Sequence, residues 1–385
     1  MRLPDYRDGS LVNLIASISA ACGAEPRHPP LAALPPERLA WAKNIVFFLV
    51  DGLGYNYLTD IGRGGALVDH LAGTLTSVFP STTAAAVTTS FTGLTPREHG
   101  MTGWFNWFPE AGLVAAPLPF RRRGDDKPLT ELGVQPSQLF CSAPLLDCFA
   151  VRSIIVTQRR IIDSDYSRYF GGRAERRAYD DLASLVCELN AAVRSGPERK
   201  YIYVYYPELD TVSHVHGVGS KQAATRLTAI DAAFARILQQ LSGTSTAIVV
   251  SADHGFIDTL PAEALELENY SSLAELLRLP LTGEPRVAFC HVKPGCAEQF
   301  AGRAHALLGE RADVRMSTAL IEEGWFGPGA SHPRLAERVG DVTLVMRGHY
   351  TIKDHLPGEK RHVLIGNHGG TTEDEMLIPL IVARA

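Results

Sequence analysis

Residues 44–50 read NIVFFLV, an unbroken apolar run that is followed at once by DGLG. A run of this length between polar residues predicts a β-strand that is buried on both faces. Comparable runs recur later, at residues 153–157, 201–206, 246–251 and 378–383. Helical patterns lie between them, at residues 84–91, 180–193 and 221–241. This alternation predicts an α/β fold with a doubly wound, mostly parallel sheet.

The pattern changes between residues 261 and 348. Short strands are predicted there at residues 287–292 and 314–317, with a helix between them at Ala297–Leu308 and then the Gly/Pro-rich run WFGPGASHP. A chain of 385 residues is long enough for one large α/β domain with an insertion. We therefore expect residues 1–260 and 349–385 to form a catalytic core, and residues 261–348 to form an inserted α+β cap or lid subdomain.

The charge balance argues against a nucleic-acid partner. The chain carries 37 Lys and Arg against 42 Asp and Glu, a formal net charge of -5, so there is no basic surplus to neutralise a phosphate backbone. A small phosphorylated molecule needs only local positive charge and is not excluded.

No run approaches the roughly 20 apolar residues that span a bilayer, so no membrane partner is expected. Residues 11–22 are mildly apolar, but Asn13 and several serines dilute them, and Asp5 and Asp8 stand where a signal peptide needs positive charge. We interpret this run as an amphipathic helix. The six cysteines form no C-x-x-C pair, which is typical of a reducing compartment, so we predict a cytoplasmic protein.

Carboxylate and imidazole groups follow four of the predicted strands, at the sheet edge where ligands gather in such folds. They are Asp51, Asp210, His214, Asp253, His254 and His368. The last follows a short predicted strand at residues 362–365, and His349, His355 and His362 are rivals for its role. Each group alone is more often a turn former or a structural histidine. Together, three Asp and three His are the ligand set expected for two zinc-class divalent ions, with manganese as an alternative.

A second candidate element lies at residues 76–101, TSVFPSTTAAAVTTSFTGLTPREHGM, where a small-residue helix is predicted to start near Thr83. Free N–H groups at a helix N-terminus can hold a phosphoryl oxygen. A hydroxyl beside a divalent cation can ionise and become a nucleophile. The plainer interpretation is that Ser81, Thr82 and Thr83 only cap the helix.

The order of these motifs resembles the alkaline phosphatase superfamily, and most nearly its type I phosphodiesterase / nucleotide pyrophosphatase family. The segment TGLTPREHGM at residues 92–101 resembles the stretch that follows the nucleophile helix in that family. The resemblance covers most of residues 44–258 and 362–382 and is faint in the insertion. It implies an alkaline phosphatase-like fold. It also implies that the nucleophile stands nine residues before Thr92, at Thr83, with Thr82 as the rival.

The same resemblance implies a metal-dependent phosphoric ester hydrolase with two divalent ions per chain, best fitted by zinc. One ion would be held by Asp210, His214 and His368, and Thr83 would bridge it to the other. The second would be held by Asp51, Asp253 and His254. Thr83 would attack phosphorus, form a phospho-threonine intermediate and be released by water.

The substrate pocket departs from the family pattern, because residues 84–86 are three alanines where nucleotide-type members commonly have an asparagine that holds a phosphoryl oxygen. Positive charge is present at residues 121–123 and 159–160, and the WFNW run at 104–107 is suited to stack on a base. As candidate substrate-binding residues we name Trp104, Asn106, Arg122 and Arg159. Solvated loop charges and core aromatics are the plainer interpretation.

The function predicted from these residues is a phosphodiesterase or nucleotide pyrophosphatase that acts on a small, nucleotide-like phosphorylated substrate. A phosphomonoesterase, a phosphonate hydrolase or a mutase on the same scaffold is the alternative within the enzyme class. The alternative of another class is a non-catalytic protein that binds metal or phosphate. The complete ligand set and the intact hydroxyl argue against it.

Overall fold

The computed structural model describes residues 1–359, 361 and 363–385. Within these residues the strands are β1 Asn44–Val50, β2 Leu71–Thr76, β3 Asn106–Phe108, β4 Leu113–Ala116, β5 Arg121–Arg122, β6 Arg152–Gln158, β7 Glu175–Tyr179, β8 Lys200–Tyr206, β9 Thr246–Ser251, β10 Ile257–Asp258, β11 Ala264–Glu266, β12 Thr282–Glu284, β13 Val287–Cys290, β14 Ala312–Met316, β15 Val342–Met346, β16 Thr351–Lys353, β17 Gly366–Asn367 and β18 Leu377–Arg384.

The α-helices of the same residues are α1 Leu11–Ala21, α2 Tyr55–Ile61, α3 Ala66–Asp69, α4 Thr83–Thr92, α5 Pro96–His99, α6 Pro136–Leu139, α7 Asp165–Gly171, α8 Leu182–Arg194, α9 Glu208–His216, α10 Lys221–Leu241, α11 Ser271–Ala274, α12 Ala297–Leu308, α13 Ser317–Glu322, α14 Leu335–Arg338 and α15 Glu373–Met376. Each described helix is too short or too polar to cross a bilayer.

A seven-stranded sheet in the order β2-β18-β9-β1-β8-β6-β7 forms the centre of the fold. Strand β1 pairs in parallel with both β8 and β9, and β6 pairs in parallel with β7 and β8, whereas β18 runs antiparallel to β9 and β2. All seven residues of β1 are buried, as its apolar run predicts. The α/β fold with a mostly parallel sheet is therefore confirmed.

The register of this sheet aligns the carboxyl ends of its parallel strands along one edge. Val50 at the end of β1 lies opposite Tyr206 at the end of β8, and Leu49 lies opposite Ser251 at the end of β9. Any side chain that follows these three strands is consequently delivered to the same edge. Helix α4 begins close to that edge and is buried along its whole length.

Helix α1 differs from its predicted amphipathic character. Ten of its eleven residues are buried, and it packs against α4. The serines and Asn13 that dilute the apolar run are buried with it, because their polar groups find partners. The Asn13 side chain receives hydrogen bonds from Ser10, and donates to the carbonyl of Pro29 at 2.8 Å.

A second sheet, antiparallel and in the order β12-β13-β15-β14, is built from residues 282–346 and has its own apolar core around Phe300 and Leu344. The predicted strands at 287–292 and 314–317 correspond to β13 and β14, and the predicted helix corresponds to α12. Of the short strand predicted at 362–365, His362 lies outside the described residues. Residues 363–365 are not a strand, and the strand that precedes His368 is β17.

Candidate metal centre

All six of the predicted Asp and His ligands meet at the carboxyl edge of the central sheet. The potential ligand atoms form two groups, and within each group all of them lie within 4.8 Å of one another. One group is Asp51 with Asp253 and His254, and the other is Asp210 with His254 and His368. His214 adjoins the second group, with its Nε2 3.3 Å from Asp210 Oδ1. We call Asp51, Asp210, His214, Asp253, His254 and His368 the Asp/His cluster.

The parallel strands explain this convergence. Asp51 directly follows β1, and Asp253 follows β9 after a single residue. Asp210 and His214 lie four residues apart on α9, so they share one helix face. The structure makes His254 the central member. Its Nε2 lies 3.4 Å from Asp51 Oδ1 and 3.6 Å from Asp253 Oδ2, and its ring stacks on that of His368 with centroids 3.6 Å apart.

Backbone carbonyls orient the three imidazoles of the cluster. The Nδ1 atoms of His214, His254 and His368 lie 2.9, 3.0 and 3.3 Å from the carbonyl oxygens of residues 366, 255 and 81. A carbonyl can only accept, so each neutral ring carries its proton on Nδ1 and directs the Nε2 lone pair into the cluster. This is how metal-binding histidines are usually held.

Three carboxylate oxygens are buried and receive no hydrogen bond from any described residue: Asp51 Oδ1, Asp210 Oδ1 and Asp253 Oδ2. Their partner oxygens are held, since the Tyr205 hydroxyl donates to Asp51 Oδ2 and two backbone N–H groups donate to Asp253 Oδ1 at 3.0 Å each. These buried oxygens accept no hydrogen bond from the described part of the chain and face the lone pairs of the imidazole nitrogens, so the oxygens and nitrogens repel one another. Divalent cations remove that repulsion, and carboxylate with imidazole is a donor set that suits them.

The acid–base properties of the cluster reflect the same crowding. Burial raises the pKa of Asp51, and the charge of Asp210 adds to the rise. Burial and the charge of Asp51 raise the pKa of Asp253 in the same way. Burial also lowers the pKa of His368, and His254 lowers it further. Bound cations would reverse the rise in pKa at Asp51 and Asp253 and would act in the same direction as the fall at His368, because they favour the deprotonated form of every ligand.

Three hydroxyls at the start of α4 are distinguished by their partners. Ser81 donates to the carbonyl of Gly370 at 2.8 Å, and Thr82 donates to the carboxylate of Glu284. Thr83, the first residue of α4, has its Oγ1 3.1 Å from His254 Nε2. Since Nε2 is the acceptor nitrogen, the Thr83 hydroxyl donates to it. Of the three, Thr83 is the one whose hydroxyl meets the Asp/His cluster.

A cavity of about 1010 Å³ opens over the cluster and is lined by Thr83, Asp210, His214 and His368. Trp104 and Arg122, two of the predicted substrate-binding residues, also line it, and Arg122 is paired there with Asp125.

Asn106 and Arg159 do not line this cavity, so their predicted substrate-binding role is corrected. The Asn106 side chain is buried, where it accepts from Thr102 and donates to the carbonyl of Gly103. Arg159 forms an exposed two-point ion pair with Asp180.

Glu284 and Lys353 are cavity residues that the sequence reasoning missed. The Glu284 carboxylate accepts from the backbone N–H of Trp104 at 2.7 Å and from Thr82, and burial raises its pKa to about 7. Both residues lie outside residues 44–258 and 362–382, which the motif resemblance covers, and no spacing in the sequence marks them.

Comparison with known proteins assigns the class of this site. The sequence model of the family described as "type I phosphodiesterase / nucleotide pyrophosphatase" matches residues 45–125 and 148–371. The chain therefore belongs to that family of enzymes, within the alkaline phosphatase superfamily. The fold and the cluster support phosphoric ester hydrolysis. No curated protein matches the sequence.

Solved structures share the fold at low sequence identity. Murine ectonucleotide pyrophosphatase / phosphodiesterase 5 superposes with a TM-score of 0.65 and 16% identity, over 87% of this chain and 87% of its own. Phosphonoacetate hydrolase from Sinorhizobium meliloti 1021, in complex with phosphonoacetate, superposes with a TM-score of 0.63 and 19% identity, over 89% of this chain and 90% of its own. Another structure of the murine protein is a complex with AMP.

Proposed function

We propose that this protein hydrolyses phosphodiester or pyrophosphate bonds of a small, nucleotide-like substrate, with Thr83 as the nucleophile. The observation that carries the proposal is the position of the Thr83 hydroxyl, 3.1 Å from His254 Nε2 at the edge of a cluster with three bare carboxylate oxygens. Family membership supports the reaction class.

Two divalent ions fit the Asp/His cluster. Asp51, Asp253 and His254 would hold one, and Asp210, His214 and His368 would hold the other, and the Thr83 hydroxyl meets the cluster at His254. When bound, the ions supply positive charge that lowers the pKa of the Thr83 hydroxyl and offsets the charge of the phosphoryl group. A ligand set of three imidazoles and three carboxylates is best suited to zinc, and manganese is the alternative.

The chain positions its own groups for an attack on phosphorus. Thr83 lies on a fully buried helix, and its hydrogen bond to His254 Nε2 orients the hydroxyl. The α4 N-terminus presents backbone N–H groups beside it, and these hold a phosphoryl oxygen in place of the asparagine that residues 84–86 lack. Attack forms a bond from Thr83 Oγ1 to phosphorus and breaks the bond to the leaving alkoxide or phosphate oxygen, which departs with the proton that Thr83 gives up. Water then cleaves the phospho-threonine intermediate and restores the hydroxyl.

A phosphonate hydrolase is the second candidate. It is supported by the fold similarity to phosphonoacetate hydrolase and by the three alanines at residues 84–86. The bond broken would then be phosphorus–carbon rather than phosphorus–oxygen.

Two further expectations remain proposals. Residues 261–348 are proposed to act as a cap, because Glu284 reaches the cavity from this region. A reducing, cytoplasmic location is proposed, and it is supported by six cysteines that are all free thiols.

The test combines elemental analysis with kinetics on the purified protein. Two metal ions per chain, and hydrolysis of an aryl phosphodiester in preference to an aryl phosphomonoester or a phosphonate, are expected. Thr83→Ala should lower kcat by about 10³-fold or more while metal content is kept, whereas Thr82→Val, the matched control, should lose less than about tenfold. A Thr83→Ala enzyme that turns over at the wild-type rate would remove Thr83 from the mechanism.

A further inference from the structure

Lys353 is a lysine of the cavity that takes no part in the proposed attack on phosphorus. It is the last residue of β16, and it lines the cavity that Thr83 and His368 also line. The neighbouring Ile352 donates its backbone N–H to the carbonyl of Pro285 at 2.9 Å. That bond places Lys353 near Glu284 and hence on the same side as the start of α4.

The described arginines that line this cavity, and His355, have acidic partners. The pairs are Arg121 with Asp126 at 3.3 Å, Arg122 with Asp125, Arg123 with Asp354 at 2.7 Å and with Glu359 at 3.0 Å, and His355 with Glu266 at 2.9 Å. Lys353 makes no ion pair or hydrogen bond through its ammonium group with any residue among 1–359, 361 and 363–385. Among the lysines and arginines of the described residues that line the cavity, Lys353 is thus the one without an acidic partner.

The surroundings of Lys353 make a ligand anion favourable. Its side chain is partly buried, and burial lowers its pKa, while the more distant charges of Glu266 and Glu284 act in the opposite direction. A desolvated ammonium without a contact partner is unfavourable, and an anion brought into contact relieves it. An ammonium is a compact positive charge that can donate hydrogen bonds to a carboxylate or to a phosphate.

We propose that Lys353 binds a second anionic group of the substrate, a carboxylate or a phosphate, separate from the phosphoryl group that Thr83 attacks. This inference rests on the proposed function, since it takes the Asp/His cluster as the site of the scissile group. The cavity, at about 1010 Å³, has room for both groups. The site therefore selects small substrates that carry negative charge at two places.

Two synthetic diesters that share a leaving group test this selection. They are p-nitrophenyl 2-carboxyethyl phosphate and its neutral isostere p-nitrophenyl 2-carbamoylethyl phosphate. The wild-type protein is expected to prefer the carboxylate in kcat/KM by about tenfold or more, which is the range for a hydrogen bond to a charged group. Lys353→Met should bring the ratio close to one, mainly through KM. Lys353→Arg should retain part of the preference.

Lys43→Met is the matched control, because Lys43 is exposed and precedes β1 at the opposite edge of the sheet. It should keep the wild-type ratio. A wild-type ratio near one, or an unchanged ratio in Lys353→Met, would overturn the proposal. Calorimetric binding of the same two esters is measured in parallel. If neither ester is hydrolysed, the proposed function fails, and the ratio of their dissociation constants in wild type and Lys353→Met still decides the role of Lys353.

Discussion

Replacing Arg286 by methionine is expected to destabilise the protein by about 3–5 kcal/mol, the usual result of breaking a buried ion pair by removing one partner. Arg286 and Glu375 are both fully buried. They are joined by two hydrogen bonds of 3.0 Å, from Nε to Oε1 and from Nη2 to Oε2. The pair connects the loop between β12 and β13 to the turn after His368, because Glu375 also accepts from the N–H of Gly370 at 2.8 Å.

The remaining partners of Glu375 set the magnitude within this range. In the Arg286→Met protein its carboxylate keeps the Gly370 N–H and the Thr372 hydroxyl, which donates at 2.7 Å, so a value near 3 kcal/mol is expected. Burial alone would raise the pKa of Glu375, but the charge and hydrogen bonds of Arg286, together with the Thr372 and Gly370 hydrogen bonds, more than offset this and the pKa is lowered. The stabilisation is therefore present above the unfolded-state pKa and is lost as the pH falls through the folded-state value.

Urea unfolding followed by tryptophan fluorescence, at fixed zinc concentration, measures this effect in the wild type, both single variants and the double variant Arg286→Met/Glu375→Gln. The double variant should lose less free energy of unfolding than the two single variants lose when their losses are added, because it leaves no unpaired charge. The gap between wild type and Arg286→Met should narrow at acid pH. A loss below about 1 kcal/mol, or strict additivity, would refute the reasoning.

Three further outcomes are expected. Tyr205→Phe removes the hydroxyl that donates to Asp51, so zinc affinity should fall about 10–100-fold in competition titrations, and an unchanged affinity would contradict this role. Burial raises the pKa of Asp51 and Asp253, so zinc should bind more weakly as the pH falls and should release protons in calorimetry across buffers of different ionisation enthalpy. Gly103→Ala would place a Cβ 2.4 Å from the Gly283 Cα and should cost about 1–3 kcal/mol in urea unfolding, unlike an alanine at the uncrowded Gly302.

The parallel sheet and the positions of the Asp/His cluster could be predicted because they depend on local patterns. The apolar run of β1 is buried at all seven positions, and Asp51 follows it as a strand-end residue. Parallel strands end at one edge, so Asp253 and Asp210, which follow β9 and β8, had to lie nearby. No detail of side-chain packing enters that reasoning.

What could not be predicted depends on contacts between distant residues. Glu284 enters the cavity because Gly283 pairs with Phe105 across 178 positions of sequence, through hydrogen bonds of 2.7 and 3.3 Å. Strand β2 was missed because its residues alternate between partly buried and exposed before the last two, and Gly73 interrupts its apolar pattern. Asn106 and Arg159 were named for chemical type and proximity in sequence, which do not reveal that each already has a partner.

The cavity is assembled from two sources, and this has an evolutionary consequence. Thr83 lies on α4, and the Asp/His cluster lies on α9 and on the loops that follow strands β1, β9 and β17, whereas Glu284 and Lys353 reach the cavity from β12 and β16. Substitutions at Lys353 can therefore change which molecules the cavity admits without replacing a member of the Asp/His cluster. Descendants of one ancestral hydrolase can diverge in the molecules they consume while inheriting an unaltered reaction chemistry.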